Sequence, residues 1–357
     1  MIFWFLADPF ISLPIAGLCG ISLFLLVSTT PQLLAIQALF FLIGLFLLYI
    51  FTTIDYRIWS KFSWLVYIFS ILLLLISLVS PVVRGASRWI SVGGWRMIQP
   101  SEVIKPLIIV FFAQMIFQYQ PRSFINLLKL TTCLLPIAIL IFLQPDLGNF
   151  IVYLTFFICM IITGGLPISY ILGGLFLMIV SLPFSWFFLQ PYQKARLFSF
   201  INPYSDPSGA GYNALQAMIT IGSGELMGLG LGRGTQSRLL FLPEYHTDFV
   251  FASLGEELGF IGGFIVIILY LLLLFRILKI AMETDDMFGK LICIGVFSQI
   301  FIQVAINIGM NLGILPITGI TLPLLSYGGS SVISTFIGLG LVLSVARQKD
   351  QELLVIK

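Results

Sequence analysis

Three polar side chains gather in the segment "LPEYHTDFVF", residues 242–251, directly before a long apolar run. They are Glu244, Asp248 and His246, which is the only histidine of the chain. An ionised Asp248 could take a proton from a substrate hydroxyl as a general base. The alternative is a cap: Thr247 would begin the next helix, with Asp248 in its first turn, where the helix dipole favours a carboxylate. A lone histidine is more often structural than catalytic, so we interpret His246 as a positioning group.

A second pair of charges begins another apolar run, in "GASRWISVGGWRMIQPSEVIKP" (residues 85–106). Ser101 is a candidate N-cap, and Glu102 and Lys105 are three residues apart, so they share one helix face. A charged pair at the end of a membrane span faces a cavity or its own partner. A structural ion pair and a direct role in a site are therefore both open.

Further candidates for the site lie in three other segments. Asp146 follows a proline in "QPDLGN" (residues 144–149), where it suits a helix cap as well as a catalytic or metal-binding role. The segment "GLGLGRG" (residues 228–234) lacks the strand that a nucleotide-binding loop needs, so its glycines predict tight turns. Cationic candidates for an anionic substrate are Arg88, Arg96, Lys105, Lys194, Arg196 and Arg233.

Glycine and proline are dense in "NIGMNLGILPITGITLPLLSYGGSS" (residues 307–331). This composition predicts irregular backbone at membrane depth, which is tolerated only inside protein or beside a water-filled cavity. Close helix packing through Gly328 and Gly329 is the alternative. The polar side chains that would line such a cavity are Asn307, Asn311, Ser326, Tyr327, Ser330 and Ser331.

The elements that must position these residues are membrane helices, because 59% of the 357 residues are hydrophobic and only 9% are charged. A soluble domain carries about 25% charged residues. The net charge of +3 includes no Lys/Arg stripe, so nucleic acid is not expected as a partner. The four cysteines lie singly in apolar runs, which argues against disulfides and cysteine metal sites.

Apolar runs of about 20 residues predict ten membrane-spanning helices. The predicted spans are 9–28, 31–51, 63–83, 102–119, 124–143, 147–165, 167–189, 249–279, 288–309 and 327–347. The fold class is thus an all-α integral membrane protein, a single polytopic domain over residues 1–357, with both termini cytoplasmic by the positive-inside rule. A large extracytoplasmic loop, residues 190–248, joins spans seven and eight and carries much of the predicted site, partly as amphipathic helix.

Five long motifs occur in a fixed order: "GASRWI…QPSEVIK", "QPDLGN", "YQKARLFSFINPYSDPSGAGYNALQAMITIGSGELMGLGLG", "LPEYHTDFVFASLGEELG" and "LPLLSYGGSS". With them the chain resembles the SEDS family (shape, elongation, division and sporulation proteins) over nearly its whole length. The motif "NIGMNLG" and the short tails favour an elongation member over a septal one. Asn149, where Thr or Ser is common, and Thr321, where Pro is usual, depart from the family pattern.

The resemblance implies a ten-span peptidoglycan glycosyltransferase of the bacterial cytoplasmic membrane, which polymerises lipid II with release of undecaprenyl diphosphate. It implies a class B penicillin-binding protein and the elongation machinery as partners, beside lipid II, nascent lipid-linked glycan and membrane lipids. The family's essential acidic residue falls on Asp248, and its other motif residues fall on Glu102, Lys105 and Asp146.

The residues and the resemblance together predict a mechanism. Asp248 is the expected catalytic base, with His246, Ser326 and Ser330 as further substrate-binding candidates beside the cations. A divalent cation, Mg²⁺ or Mn²⁺, is expected to share the diphosphate charge through one or two carboxylates. The main rival is a lipid II flippase, which the same cations and broken helices would suit. A scaffold without activity is the third reading.

Overall fold

The computed structural model describes residues 8–80, 88–92, 95–188, 191–209 and 211–355. The side chains of Arg96 and Arg196 lie outside the described residues. The helices that follow one another before the longest connecting segment are α1 (Pro9–Thr29), α2 (Pro31–Thr53), α3 (Ile58–Lys61), α4 (Ser63–Leu78), α5 (Pro100–Val103), α6 (Lys105–Gln118), α7 (Phe124–Leu143), α8 (Leu147–Thr163) and α9 (Ile168–Phe188). The remaining helices are α10 (Pro191–Ile201), a 3₁₀ turn (Pro203–Ser205), α11 (Tyr212–Ser223), α12 (Thr235–Arg238), α13 (Val250–Glu283), α14 (Met287–Asn311) and α15 (Gly329–Val355).

The expectation of an all-α chain is correct except for one hairpin before α5. Strands β1 (Ile90–Val92) and β2 (Trp95–Ile98) pair antiparallel, with Val92 opposite Trp95. A Gly-Gly pair separates the two strands in the sequence "ISVGGWRMI", and such a pair between β-branched and aromatic residues is a hairpin signal.

The apolar helices follow the predicted spans closely. Six of the described helices are long and apolar enough to cross a membrane: α1, α2, α7, α13, α14 and α15. Four shorter apolar helices, α4, α6, α8 and the first part of α9, fall within the other four predicted spans. Leu42, Phe46, Leu65 and Phe176 are among the many large apolar side chains that lie exposed on these helices. Such surfaces suit lipid, and the chain is a multi-pass membrane protein.

Helix α13 is broken at Gly259, whose backbone (φ 65°, ψ −164°) is one that side-chain-bearing residues avoid. The break leaves two carbonyls and two N–H groups without partners inside the helix. The glycine-rich segment 225–230 supplies the hydrogen-bond partners of these four groups. The bonds run from Leu229 N to Glu256 O (2.9 Å), from Gly230 N to Glu257 O (3.1 Å), from Phe260 N to Glu225 O (2.9 Å) and from Ile261 N to Leu226 O (3.2 Å). The predicted tight turns are confirmed, since Gly228, Gly230 and Gly232 all have positive φ.

The segment between α14 and α15, residues 312–328, lacks regular structure, as its Gly and Pro content predicts. It lies inside the protein: Leu322, Leu324 and Ser326 are at most 1% exposed. Protein groups rather than lipid therefore surround this irregular backbone. The alternative of close helix packing holds at Gly329 alone, where a side chain would collide with the ring of Phe40.

Two of the three predicted helix caps are wrong. The cap of α5 is Gln99, so Ser101 lies within the first turn. The cap of α13 is Phe249, so Thr247 and Asp248 both precede the helix. In each case the predicted side chain bonds elsewhere, and the residue at the cap makes no side-chain hydrogen bond to the helix. Asp146 is confirmed as the cap of α8, where Oδ1 accepts from Asn149 N at 3.2 Å.

Candidate active site

The segment that carries Asp248 is held by its backbone. All four successive carbonyls from Tyr245 to Asp248 accept a hydrogen bond from outside the segment. The donors are Ser253 Oγ to Tyr245 O (3.0 Å), Tyr327 N to His246 O (2.8 Å), Ser326 Oγ to Thr247 O (2.6 Å), and Asn307 Nδ2 (2.9 Å) and Asn311 Nδ2 (3.1 Å) to Asp248 O. Buried carbonyls need such partners, and four in a row leave this turn one position relative to α13, α14 and α15.

Two buried amides fix the carbonyl of Asp248 itself. Asn307 also donates to Ile320 O at 2.7 Å, and Asn311 also donates to Asn307 O at 2.8 Å. Both side chains are 0% exposed. They tie the turn before α13 to the end of α14 and to the irregular segment 312–328. The carboxylate of Asp248 is thereby mounted on packed helices, as a general base requires.

The carboxylate of Asp248 is half-buried and lies beside Gly319. A Cβ at Gly319 would come 3.3 Å from Asp248 Oδ2, and the backbone there has φ +74°. A glycine therefore serves both the left-handed turn and the space at the carboxylate. The position of Asp248 two residues before α13 corrects the prediction that it lies in the first helical turn.

The imidazole of His246 packs between two tyrosine rings. Its ring centroid is 5.0 Å from that of Tyr245 and 5.8 Å from that of Tyr327. Tyr245 OH in turn lies 2.9 Å from Thr30 Oγ1, between α1 and α2. These contacts agree with a positioning role for His246, which remains a prediction.

Glu102 and Lys105 form a buried ion pair, as their spacing predicts. Lys105 Nζ lies 2.7 Å from Glu102 Oε1, and the two residues are 0% and 5% exposed. They do not belong to one continuous helix, because the helix is interrupted at Ile104, between α5 and α6. A charge pair this deep in an apolar bundle is costly unless further polar groups meet it.

Asp146 is the acceptor at the centre of a buried network. Its Oδ2 accepts from Gln99 Nε2 (2.9 Å), from Ser101 Oγ (3.3 Å) and from Asn149 Nδ2 (2.9 Å). Asp146 is 3% exposed and Asn149 is also 3% exposed. Three protein donors face one oxygen of a buried carboxylate, which favours the structural role among those that the sequence left open. Asn149, a departure from the family pattern, is one of the donors.

The residues at the start of α15 contact both the turn that carries Asp248 and the buried polar residues around Asp146. Ser326 binds the carbonyl of Thr247, and four residues later Ser330 Oγ accepts from Gln99 N at 2.8 Å. One short stretch therefore contacts both the Asp248 turn and the segment that leads to Glu102. Ser326 and Ser330 are 1% and 5% exposed, and these bonds to the backbone make them supports of the site.

The predicted substrate-binding cations differ in their burial and in their contacts. Arg88 is half-buried and precedes β1, and its Nε has no hydrogen-bond partner among the described residues. Lys194 Nζ lies 5.4 Å from the centroid of the Trp186 ring. Arg233 is exposed, next to the glycine-rich segment. The roles predicted for Arg96 and Arg196 fall on side chains outside the described residues.

Two buried carboxylates of α13 hold the segment 229–238. Glu256 caps α12: its oxygens accept from Gln236 N (2.8 Å), from Ser237 N (3.1 Å) and from Ser237 Oγ (2.5 Å). Glu257 Oε1 accepts from Ser28 Oγ and, at 3.3 Å, from Gly232 N. Both are 0% exposed, so the two glutamates face the protein interior.

Several supporting residues were missed at the sequence level. Gln37 of α2 donates to Ser326 O and accepts from Gly328 N, both at 3.3 Å. Gln99 and Ser253 make the bonds given above. Their common signal is an amide or hydroxyl within a run that is otherwise apolar, where an unpaired polar group would be expensive.

The described residues contain no group of three or more His, Cys, Asp and Glu side chains placed to hold a metal ion. A divalent cation at this site would take its protein oxygen from Asp248 and the others from a bound diphosphate or water. Mg²⁺ tolerates this arrangement, since it is often held by one or two carboxylates with substrate phosphates.

Comparisons with known proteins agree with the arrangement. The model of the cell cycle protein family FtsW/RodA/SpoVE matches residues 11–351. Stage V sporulation protein E of Bacillus subtilis is 39% identical over 322 residues, 87% of this chain and 86% of that protein. Peptidoglycan glycosyltransferase MrdB of Escherichia coli K12 is 39% identical over 306 residues, 85% and 82% of the two chains. A solved chain from a peptidoglycan synthase complex, which coordinates polymerization and crosslinking, superposes with a TM-score of 0.82 at 32% identity, covering 95% and 97%.

Proposed function

Because this chain belongs to the FtsW/RodA/SpoVE family of cell cycle proteins, we propose that it polymerises lipid II into glycan strands with Asp248 as the general base. Relatives such as MrdB are peptidoglycan glycosyltransferases, and this chain is an enzyme of that kind. The observation that carries the role of Asp248 is its mounting: five hydrogen bonds hold the four carbonyls around it, while its carboxylate lies half-buried at Gly319.

The reaction joins a sugar hydroxyl to the anomeric carbon of a second, lipid-linked sugar. The hydroxyl oxygen forms the new glycosidic bond, its proton passes to the carboxylate of Asp248, and the bond to the diphosphate breaks. Undecaprenyl diphosphate leaves with the electron pair. Cations stabilise that leaving group, and Arg suits its oxygens best, so Arg88, Arg96, Arg196 and Arg233 are the proposed contacts, with Lys194. Asp248 would hold a divalent cation, and when bound the cation would supply positive charge to the leaving diphosphate.

The proposed topology has ten spans, with residues 190–248 outside the cytoplasmic membrane and both termini in the cytoplasm. Thr30, between α1 and α2, meets Tyr245 at the start of the Asp248 turn, so these two segments share one side of the bundle. An even number of spans then returns the chain to the side from which it began. This placement exposes the carboxylate to a substrate that has already been exported, which favours polymerisation over flipping.

For partners, we propose a class B penicillin-binding protein, which would cross-link the strands, together with the elongation machinery and surrounding membrane lipids. The superposition on a chain of a peptidoglycan synthase complex supports a cross-linking partner. An elongation role rests on "NIGMNLG", whose two asparagines hold Asp248. Stage V sporulation protein E and MrdB match at the same identity, so restoration of rod shape in a strain lacking its own elongation member is the relevant test.

The activity is tested with purified protein and labelled lipid II, alone and with its transpeptidase. Polymerisation predicts glycan strands on a gel. A flippase would instead move labelled lipid II across liposomes without extending it. Transport in the absence of any polymer would overturn the proposed function.

A further inference from the structure

Four buried amides form a stripe along α14. Gln299, Gln303, Asn307 and Asn311 follow one another at intervals of four residues, so they lie on one face of the helix. They are 2%, 1%, 0% and 0% exposed. The upper two hold Asp248 as described above. The lower two lie deeper in the bundle, where an amide needs a partner in the protein or a bound polar molecule.

The lower two amides are incompletely bonded. Neither polar atom of Gln303 has a hydrogen-bond partner among the described residues, and Gln299 Oε1 has none either. Gln299 Nε2 makes one long bond, 3.4 Å, to Ser334 Oγ of α15. The free oxygen of the ion pair, Glu102 Oε2, is likewise buried without a described partner. Three side chains thus present unpaired polar atoms in one part of the bundle.

The packing of α14 against α6 places these atoms at a similar depth in the bundle. A Cβ on Gly295 of α14 would come 2.5 Å from Ile109 Cγ2 of α6. The start of α15 meets both the end of α14 and the beginning of α6. These two ends therefore lie on the same side of the bundle, and α6 and α14 run antiparallel. One turn from that contact toward this side lie Lys105 on α6 and Gln299 on α14. One further turn along α14 reaches Gln303, at the level of Glu102, which pairs with Lys105.

The third wall is α15. A Cβ on Gly338 would come 3.3 Å from Val296 Cγ1, and the Gln299–Ser334 bond lies one turn nearer the Asp248 side. The next turn of α15 carries Ser330 and Ser331, level with Gln303. The walls of this part of the bundle are therefore the ion pair of α5 and α6, two glutamine amides of α14 and serine hydroxyls of α15.

The charges and hydrogen-bonding groups of these residues determine which molecule can bind between them. An anion would meet the Glu102 carboxylate, and a cation would meet the Lys105 ammonium. The unpaired atoms include an amide donor as well as amide and carboxylate acceptors, so the occupant must both donate and accept. Water meets these conditions, and buried water typically makes about three hydrogen bonds to such groups.

We propose that water bound between α6, α14 and α15 bridges Gln303 to the Glu102–Lys105 ion pair, and that Gln303 thereby couples this pair to the amides that hold Asp248. Gln303 is a positioning residue: it lies one turn of α14 from Asn307, acts on the reaction through the position of this helix, and touches no substrate. The coupling to catalysis rests on the role proposed for Asp248, whereas the water site does not.

Gln303→Met tests the site, because methionine has a similar shape without polar atoms. If water bridges Gln303, the variant loses those bonds and its Tm in detergent falls. If the amide were unpaired, removing it would raise the Tm, and that result would overturn the water site. An experimental map that resolves solvent should show a peak within hydrogen-bonding distance of Glu102 Oε2 and Gln303; a clear map without one would also overturn it.

The positioning role is read from kinetics with labelled lipid II. We expect Gln303→Met to lower kcat about tenfold with KM unchanged, since only the mounting of the base is disturbed. The matched control is Ser298→Ala on the same helix. The buried hydroxyl of Ser298 donates to Ile294 O of its own helix (2.7 Å), so this variant should leave kcat unchanged. Equal kcat for Gln303→Met and wild type would refute the coupling. Should Asp248→Asn retain activity, the proposed function fails, and the solvent map and Tm still decide the water site.

Discussion

The carbonyl of Asp248 is the point at which the mounting of the site can be perturbed without touching its carboxylate. Asn307→Leu removes the bonds to Asp248 O (2.9 Å) and Ile320 O (2.7 Å). Asp248 O keeps the bond from Asn311, whereas Ile320 O loses the donor described for it. With about 1 kcal/mol for a lost bond and about 1–3 kcal/mol for a carbonyl buried without a partner, we expect unfolding to become easier by about 2–4 kcal/mol.

The kinetic consequence of Asn307→Leu is smaller than full release of the turn. A displacement of about 1 Å can cost about 100-fold in rate, but the other bonds to the turn remain, so we expect kcat to fall about tenfold. Rates with labelled lipid II and thermal unfolding in detergent measure the two effects separately.

The control for that variant is Ser344→Ala on α15. Ser344 Oγ is buried, accepts from Tyr56 N (3.0 Å) and donates to Ile54 O (2.7 Å), so its loss destabilises the protein comparably. It lies 15 residues beyond Gly329, or roughly 22 Å along the helix from the Asp248 side. Similar loss of stability in both variants with loss of kcat in Asn307→Leu alone is the expected pattern. Equal kcat in the two variants would refute the idea that the amide positions the base.

Three further predictions address other parts of the site. Gly319→Ala should lower kcat about tenfold by crowding Asp248 Oδ2, whereas Gly165→Ala, with a similar backbone (φ +95°) and its nearest atom, Arg122 Nε, 3.5 Å away, should cost stability alone; equal kcat in the two variants would contradict this. Glu256→Gln should speed tryptic cleavage of the segment that Glu256 caps, because three donors face the two carboxylate oxygens. The control is Glu257→Gln, which should be cleaved as fast as wild type, because Glu257 Oε2 has no described partner. EDTA should lower the polymerisation rate severalfold and Mg²⁺ or Mn²⁺ restore it; an unchanged rate would remove the cation from the mechanism.

Residues with a strong local signal were predicted correctly. Continuous apolar runs gave the helices, since lipid leaves little choice of backbone structure. The i,i+3 spacing of Glu102 and Lys105 gave the ion pair, and the proline before Asp146 gave the cap of α8. Gly and Pro density gave the irregular backbone of residues 312–328. In each case neighbouring residues alone decide the outcome.

The partners of Asp248 could not be predicted in the same way, because they come from distant parts of the chain. Asn307 and Asn311 were candidates for lining a cavity, yet their bonds to the carbonyl of Asp248 depend on how α13 and α14 pack. The break at Gly259 depends on segment 225–230 supplying four bonds. Cap prediction failed at Thr247 because Thr247 bonds Glu244 within its own turn instead of the helix.

In the proposed mechanism the carboxylate of Asp248 takes the proton, while its backbone carbonyl holds the turn. Asp248→Asn separates the two, since the amide keeps the size of the side chain and leaves Asp248 O available to Asn307 and Asn311. The variant should unfold near the wild-type Tm and lose at least about 100-fold in kcat with lipid II, within the range of general-base catalysis. Glycan strands formed by Asp248→Asn at the wild-type rate would contradict the account.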